Sequence, residues 1–485
     1  MKRFIYIFLL FGALTSLAQP KYEVRAVWLT TIGGIDWPSS YANNGMGIET
    51  QKRQMCQILD RLKQAGVNTV MLQTRVRATT IYPSDIEPWD GCLSGKPGVS
   101  PGYDALKMAI DECHRRGMEL HAWVVTIPVG KWNTYGCKQI RQRYPSLIVK
   151  VGDEGYMHPE VYGTADYLTN ICQEITERYD IDGIHLDYIR YPETWKGKMW
   201  TDNITRIVRS VHDKVKSLKP WVKMSCSPIG KYDDLSRYRS NGWNARSRVA
   251  QDAQMWLREG LMDQLYPMMY FQGNNFYPFA IDWQENSYGR TIVSGLGIYM
   301  LDPKEGRFQL PEIQRQLNVT RQIGIGHCYF RAKFLLDNLK GVYDYVKWFD
   351  RYPALIPPMT WAQSTAPTAP TSLQVKHTTQ GDLLSWSGAK DRSNGPYLIY
   401  NIYASRERPV DTSNPQNLIA TRYIWQKAQV PYDARKQHRL FYAVTAVDRY
   451  GNESTPIQEP RQVVSVNPER QPLTPITQRR NPWRK

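Results

Sequence analysis

The stretch Asp182-Gly183-Ile184-His185-Leu186-Asp187-Tyr188-Ile189-Arg190-Tyr191-Pro192 decides the fold and the first candidate for catalysis. It predicts a buried strand, because Ile184 and Leu186 would face one side of it. His185 and Asp187 would face the other side. Asp187 would then stand at the carboxyl end of a parallel strand, where barrel enzymes carry their catalytic groups. The alternative is that Asp187 only pairs with a nearby arginine or caps a loop, as charges at strand ends also do.

Seven more strand patterns lie between Glu23 and Ala332, and amphipathic helical patterns separate them. Alternating strands and helices imply a parallel sheet. Eight such units predict an α/β fold, a (β/α)8 TIM barrel over residues 22–352. The predicted strands cover residues 24–31, 68–75, 119–127, 183–191, 222–228, 262–270, 291–299 and 326–331.

Two of the predicted loops are much longer than the usual few residues. They cover residues 76–101 and 129–159, after the second and third strands. Both follow strands, so both would lie at the carboxyl face of the barrel. We expect them to wall an open groove rather than a closed pocket.

After residue 352 the chain changes character. Residues 353–370 are rich in proline, serine and threonine and predict a linker. Short strand patterns follow within 371–467 and predict an all-β sandwich, and a basic tail covers 468–485. The run 442–454, with Trp386, resembles fibronectin type III domains and makes Tyr442 a candidate tyrosine-corner residue. The sandwich strands are predicted at 372–377, 383–387, 398–404, 418–421, 425–430, 440–447 and 462–466.

The amino terminus predicts export. Lys2 and Arg3 precede an apolar run, and Ser16-Leu17-Ala18 resembles a cleavage site, so residues 1–18 are interpreted as a signal peptide. No other segment approaches the roughly 20 apolar residues of a membrane span. We expect a periplasmic or extracellular protein. The formal net charge of +17 suits an anionic polymer or an anionic envelope surface. Export and the lack of a nucleic-acid-binding motif argue against nucleic acid as the partner.

Cofactor chemistry has little support in the sequence. The seven cysteines show no CxxC spacing, which argues against a zinc site or a disulfide framework and leaves only a Cys92–Cys137 pair open. There is no HxxxH, no P-loop and no GxGxxG after a strand. A Gly-x-Ser-x-Gly elbow is also absent, which disfavours an esterase. We therefore predict no metal and no cofactor.

Glycoside hydrolysis would use Asp187 as nucleophile or as a stabiliser of an oxocarbenium-like transition state. A second carboxyl group with a raised pKa would donate the proton. The candidates, in order, are Asp302 after the seventh strand, Glu154 in the third loop and Glu193 directly after Pro192. Position at a strand end is the only basis for this order.

Several polar and aromatic residues at strand ends could bind sugar by hydrogen bonds or ring stacking. His185 could instead be a core histidine one layer down, and Trp28 and Trp123 could instead pack inside the barrel. Asp263 begins a strand, at the opposite face, and is interpreted as structural. The substrate-binding candidates are Trp28, Gln73, Arg75, Trp123, His185, Arg190 and Tyr270.

Four motifs occur in the order typical of one family: residues 25–30 (RAVWLT), 66–70 (GVNTV), 179–192 (YDIDGIHLDYIRYP) and 267–270 (PMMY). Over about residues 22–350 the chain resembles the glycosyl hydrolase-like 10 family of bacterial envelope proteins. The resemblance implies a (β/α)8 fold and glycosidase activity, and some relatives are thought to cut peptidoglycan glycan strands. Several relatives carry an acidic pair where this chain has Asp187-Tyr188, so Asp187 is the only acid carried over.

The sequence therefore predicts an exported glycoside hydrolase that acts on a polysaccharide or glycan strand, with an accessory sandwich. The retaining and inverting outcomes stay open, because they depend on the separation of the carboxyl groups. The main alternative is a barrel that binds glycan without cutting it. A third is a structural envelope protein that uses the sandwich for protein contacts.

Overall fold

The computed structural model describes residues 19–431 and 439–460. The predicted signal peptide at 1–18, the predicted strand at 462–466 and the basic tail lie outside the described residues. Within the described chain, no helix is long and apolar enough to cross a membrane.

A closed barrel of eight parallel strands forms the first part of the chain, as predicted. Each predicted strand is present, although most are shorter than their sequence patterns. The order around the barrel follows the chain, with one small antiparallel sheet inserted after the third strand. The barrel strands are β1 (Arg25–Leu29), β2 (Thr69–Arg75), β3 (Glu119–Val125), β7 (Gly183–Asp187), β8 (Lys223–Cys226), β9 (Gln264–Leu265), β10 (Thr291–Leu296) and β11 (Gly326–Tyr329).

Helices surround the barrel and bury its outer face. Ile184 and Leu186 of β7 point into this outer core, while the lumen holds a second cluster that includes Trp28, Trp123 and Tyr266. The alternation predicted for β7 is therefore correct. The helices are α1 (Gly45–Gln64), α2 (Gly91–Ser94), α3 (Ala105–Arg115), α4 (Tyr135–Arg143), α5 (Tyr162–Arg178), α6 (Thr201–Leu218), α7 (Ala245–Val249), α8 (Ala253–Arg258), α9 (Tyr277–Glu285), α10 (Leu310–Gln322), α11 (Ala332–Leu336) and α12 (Val342–Phe349).

The two long loops fold against each other. The loop after β3 forms α4 and a small antiparallel sheet of β4 (Pro128–Lys131), β5 (Ile148–Val151) and β6 (Glu154–Met157). Gly136 in α4 packs on the second loop so closely that a Cβ there would lie 2.6 Å from the carbonyl oxygen of Ala78. All seven cysteines are free thiols, so the Cys92–Cys137 pair is not formed.

Two antiparallel sheets follow the barrel, with strand orders β12-β13-β16 and β15-β14-β17-β18. Trp386 and Tyr442 lie in the hydrophobic core between them. The Tyr442 hydroxyl donates to Asp382 Oδ2 at 2.6 Å, across the two sheets. A tyrosine corner would instead bind upstream backbone, so that expectation is corrected. The strands are β12 (Ser372–Thr378), β13 (Gly381–Ser387), β14 (Ile399–Ser405), β15 (Leu418–Tyr423), β16 (Lys427–Pro431), β17 (Phe441–Val447) and β18 (Ile457–Gln458).

The proline-rich segment and the two sheets dock on the amino face of the barrel. Leu355 exchanges backbone hydrogen bonds with the chain at Lys21 and Glu23. The indole of Trp361 donates to Asp263 at 2.8 Å, and Lys216 also binds this carboxylate, which gives Asp263 the structural place that its position predicts.

Two arginines of the sheets bind carboxylates where barrel strands begin. Arg422 contacts Glu119 at 2.9 Å and also pairs with Asp182, which Arg449 approaches to 3.3 Å. Glu119 opens β3 and Asp182 precedes β7. The sheets therefore sit at the end of the barrel opposite to Asp187.

Candidate active site

Asp187 ends β7 and directs its carboxyl group into the carboxyl mouth of the barrel. Trp123 Nε1 donates to Oδ2 at 3.0 Å, and Ser227 Oγ donates to Oδ1 at 2.7 Å. The backbone N–H of Tyr188 also donates to Oδ1, at 2.8 Å. These donors come from strands on both sides of β7 and from the residue that follows it, so the carboxyl group is held in one orientation.

The backbone after Asp187 makes a sharp turn that exposes the next side chain. Thr126 binds the Asp187 carbonyl oxygen through both its backbone N–H, at 2.9 Å, and its hydroxyl, at 2.8 Å. Tyr188 then adopts a left-handed φ of 52°, which is uncommon for a residue with a side chain. Its ring is 42% exposed. The turn therefore keeps the carboxyl group inside and places the aromatic ring at the rim.

Burial raises the pKa of Asp187, and this effect outweighs the hydrogen bonds from Ser227, Tyr188 and Trp123 and the charge of Arg190, which all lower it. A carboxyl group with a raised pKa keeps its proton to higher pH. Such a group is suited to donate a proton to a leaving oxygen.

Arg190 pairs directly with a second carboxylate, and its charge also lowers the pKa of Asp187. Its Nη2 lies 2.7 Å from Glu193 Oε1, and its guanidinium carbon lies 4.8 Å from the centroid of the Tyr188 ring. Its Nε and Nη1 are buried and have no hydrogen-bond partner among the described residues. Burial alone would raise the pKa of Glu193, but Arg190 lowers it below its ordinary value. Asp187 and Glu193 thus have opposite pKa shifts beside one cation.

The small inserted sheet forms the wall next to Glu193. Burial raises the pKa of the Tyr156 hydroxyl, and the charges that act on it belong to Glu154, Glu193, Arg77 and Arg190. Glu154 lies two residues before Tyr156 on β6. Asp302 was the first candidate for the second carboxyl group. It instead caps a turn by accepting a hydrogen bond from the Lys304 backbone N–H at 2.9 Å.

Aromatic side chains line the other side of the mouth. Tyr270 stacks on Phe330 with centroids 5.3 Å apart and an interplanar angle of 28°. Burial raises the pKa of Tyr270, with Cys328 and then Asp187 adding to the effect, so the phenol lies near the carboxyl group. The sequence reasoning missed Phe330, although an aromatic residue at the end of the eighth strand was a usable signal.

His185 lies one layer below Asp187, in the barrel core. Its Nε2 accepts from Trp28 Nε1 at 3.2 Å, so its Nδ1 carries the proton and donates to Ser225 Oγ at 2.9 Å. Burial holds the pKa of His185 well below its usual value. His185 and the almost fully buried Trp28 therefore pack in the barrel core. This corrects the substrate-binding role predicted for both.

Gln73 and Arg75 are also corrected, because Gln73 binds the loop after β1 and Arg75 binds the long loop after β2. Gln73 Oε1 accepts from the backbone N–H groups of Thr31 at 3.0 Å and Ile32 at 2.9 Å. Arg75 is fully buried and pairs with Glu87 at 2.6 Å. Both side chains are used inside the protein, where they fix loops.

One described cluster has the composition of a metal site. Glu23, His327 and Asp350 bring ligand atoms within 4.8 Å of one another at the amino face. Arg321 binds both carboxylates, with Nη2 at 2.7 Å from Glu23 and 2.6 Å from Asp350, so a cation already neutralises them. A second guanidinium, that of Arg25, lies 2.7 Å from Glu23. The cluster is therefore an ion-pair network.

Comparison with known proteins decides the family. The sequence model of the family described as glycosyl hydrolase-like 10 matches residues 23–200 and 193–299. The chain belongs to this family. It is 29% identical over 489 residues to "Glycosyl hydrolase YngK" of Bacillus subtilis (strain 168), a match that covers 90% of this chain and 93% of that protein.

A second relative is "Glycosyl hydrolase DigH" of Escherichia coli (strain K12), 29% identical over 292 residues that cover 52% of this chain and 66% of that protein. A solved glycoside hydrolase domain of PgaB from Bordetella bronchiseptica aligns with a TM-score of 0.47 and 12% identity, over 67% of this chain and 98% of that domain. Family membership confirms the prediction of a glycoside hydrolase.

Proposed function

We propose that this protein is an exported glycoside hydrolase that cleaves a bacterial envelope or extracellular polysaccharide, with peptidoglycan glycan strands as the first substrate to test. The observation that carries the proposal is the buried, hydrogen-bonded carboxyl group of Asp187 at the mouth of the barrel. The family supports the reaction class. The amino-terminal pattern of a charged start, an apolar run and a small-residue cleavage site supports export.

In the proposed reaction, Asp187 is the proton donor and Glu193 the ionised partner. Their pKa values move in opposite directions, which is how two carboxyl groups take the two roles of a glycosidase. Protonated Asp187 would give its proton to the glycosidic oxygen as the bond to the anomeric carbon breaks. Glu193 would stabilise the positive charge that develops on the sugar, and either attack the anomeric carbon or take a proton from the attacking water.

Glu193 is preferred to Asp302 and Glu154 because Arg190 pairs with Glu193 and its charge also acts on the pKa of Asp187. Tyr270 and Phe330 offer aromatic surface to the apolar face of a sugar on the opposite side of the site.

The test compares substitutions of the carboxyl groups in the purified protein. Reducing ends released from glycan strands are quantified for wild type, Asp187→Asn, Glu193→Gln, Asp302→Asn and Glu154→Gln. We expect losses of about 100-fold or more for the first two, the scale of a lost acid or base. Asp302→Asn and Glu154→Gln are matched controls and should stay within a few-fold of wild type. Full activity of Asp187→Asn would end the proposal.

The amide in Asp187→Asn needs its own control. An Asn side chain that keeps the bonds to Ser227 and Tyr188 would point its NH₂ group at the Trp123 N–H, and two donors cannot bond to each other. Thermal unfolding of the variant therefore accompanies the assay. A folded but inactive variant supports the chemical role, and Glu193→Gln supplies an independent measurement.

A glycan-binding barrel without activity is the second candidate. The observation in its favour is the salt bridge to Arg190, which already occupies Glu193. Under this hypothesis wild type and Asp187→Asn bind glycan equally and neither releases reducing ends.

We also propose that the two C-terminal sheets are an accessory module of the fibronectin type III kind. Sheets of three and four strands around a core with Trp386 support this assignment. The module docks at the amino face, so we expect no contact with a substrate in the groove.

A further inference from the structure

Two exposed aromatic side chains lie at the starts of two neighbouring helices, at the carboxyl face of the barrel. Tyr162 is the first residue of α5 and is 74% exposed, while Trp200 directly precedes α6 and is 49% exposed. Each of these helices starts where a loop returns from the end of a barrel strand. The rings therefore lie on the same face as Asp187, and packing of the core does not account for them.

A cation holds each ring by one face. The guanidinium carbon of Arg206 lies 4.1 Å from the Tyr162 centroid, and Lys198 Nζ lies 3.6 Å from the Trp200 centroid. Arg206 is itself fixed, because it donates to the carbonyl oxygen of Pro159 at 2.9 Å. A cation on one face orients a ring, and the large exposure of both rings shows that other surface stays open to solvent.

Arg206 also joins Tyr162 to the chain segment that carries Arg190 and Glu193. Arg206 also donates to Asn203 at 3.1 Å, and Asn203 donates to the hydroxyl of Tyr191 at 3.0 Å. Tyr191 lies between Arg190 and Glu193 in the chain, and the exposed ring of Tyr188 stands at the edge of the same segment. The backbone N–H of Asn203 also donates to the carbonyl oxygen of Trp200 at 3.2 Å, so Asn203 lies between the starts of α5 and α6 and the segment that carries Tyr188.

We infer that Tyr188, Trp200 and Tyr162 form a distal binding track for a polysaccharide, which makes the enzyme act on chains of several sugars in preference to short fragments. The inference rests on the proposed function and adds the length of the substrate, a chain of several sugars. Open aromatic planes match the apolar faces of sugar rings. Rings that are oriented before binding lose less conformational freedom on binding, which favours affinity.

The test uses the whole chain with Trp200→Ala, Tyr162→Ala and the double substitution. The matched control is Trp348→Ala, because Trp348 is 52% exposed and has Arg351 5.5 Å from its ring centroid. It lies near the end of α12, toward the amino face. The kcat/KM is measured on long glycan strands and on fragments of two or three sugars.

We expect kcat/KM on long strands to fall about tenfold for each ring, through KM, as for the loss of about one aromatic contact. Activity on the short fragments should stay within about twofold of wild type, and Trp348→Ala should match wild type on both. An equal loss on short and long substrates, or no loss on long ones, would overturn the inference. A changed oligomeric state of Trp200→Ala in sedimentation would also overturn it, since the rings would then cover a second copy.

A binding measurement separates this inference from the proposed function. Asp187→Asn, with and without Trp200→Ala, is sedimented with insoluble glycan, and the bound fraction is compared. If wild type releases no reducing ends but Trp200→Ala still weakens binding about tenfold, hydrolysis is wrong and the track is supported. If wild type cleaves glycan and Trp200→Ala binds as well as its parent, the track is wrong and hydrolysis stands.

Discussion

Replacement of Arg449 by methionine should destabilise the attachment of the C-terminal sheets to the barrel. Arg449 Nη2 lies 3.2 Å from Asp180 and 3.3 Å from Asp182. The side chains of Arg449 and Asp182 are both only 2% exposed, so water cannot replace the lost cation at Asp182. Methionine has a similar length and no charge.

The size of the destabilisation depends on the partners that Asp182 keeps. Removal of one partner of a buried ion pair costs about 3–5 kcal/mol, because the other charge stays buried without compensation. Asp182 would keep Arg422 and a bond of 2.8 Å to His114. We therefore expect Arg449→Met to lower the free energy of unfolding by about 3 kcal/mol, the lower end of this range. Adding Arg422→Met should lower it further.

The assay is urea unfolding of the mature protein followed by tryptophan fluorescence, with the free energy of unfolding compared between variants. The control is Lys333→Met, which removes a salt bridge whose side chains are 49% and 44% exposed and should cost less than about 1 kcal/mol. If Arg449→Met unfolds within about 1 kcal/mol of wild type, the reasoning about the buried charge is refuted.

The same network predicts a pH dependence with a definite sign. Burial would raise the pKa of Asp182, but Arg422 and His114 hold it well below its ordinary value. A carboxylate whose folded pKa is depressed stabilises the protein at pH values above its unfolded pKa, and this contribution is lost as the pH falls through the folded value. Wild type should therefore lose more stability on acidification than Arg449→Met does.

Three further predictions concern the active site and its walls. Ser227→Ala should raise the pKa of Asp187 further, because the lost hydrogen bond favoured the ionised form. The alkaline limb of the pH profile of kcat/KM should therefore move to higher pH. A move to lower pH would contradict the proton-donor role. Trp123→Phe removes the donor to Oδ2 and should move the same limb in the same direction, with kcat reduced more than KM is raised; an unchanged profile would contradict the contact. Gly136→Ala places a Cβ 2.6 Å from the carbonyl oxygen of Ala78 and should lower the free energy of unfolding by about 1–3 kcal/mol. Thermal unfolding measures the change. An unchanged midpoint would show that the two loops do not pack there.

The sequence predicted the barrel well because its signals are local. Runs such as Ile184 and Leu186, with polar residues between them, repeat with the period of a strand, and helical patterns with stop signals separate the eight runs. In the sandwich, β18 was not predicted, because at Ile457–Gln458 it is only two residues long and leaves almost no periodic signal.

The site was predicted less completely, for a physical reason. Asp187 was found because a charged residue at the end of a buried strand is visible in the sequence. Gln73 and Arg75 carry the same kind of signal, yet Arg75 is fully buried against Glu87. Whether a polar side chain faces a groove or a neighbouring loop depends on which segments cover it, and residues distant in the chain decide that.

The sequence by itself determined the period of each strand and helix, hence the eight-fold alternation, the inward direction of Asp187 and the change to β structure after the proline-rich segment. Only the tertiary structure decided the protonation environment of Asp187, the pairing of Arg190 with Glu193, and the docking of the sheets at the amino face. The physical reason is range. Backbone geometry and hydrophobic periodicity act between near neighbours in the chain, whereas burial, ion pairing and pKa shifts depend on groups that only folding brings together.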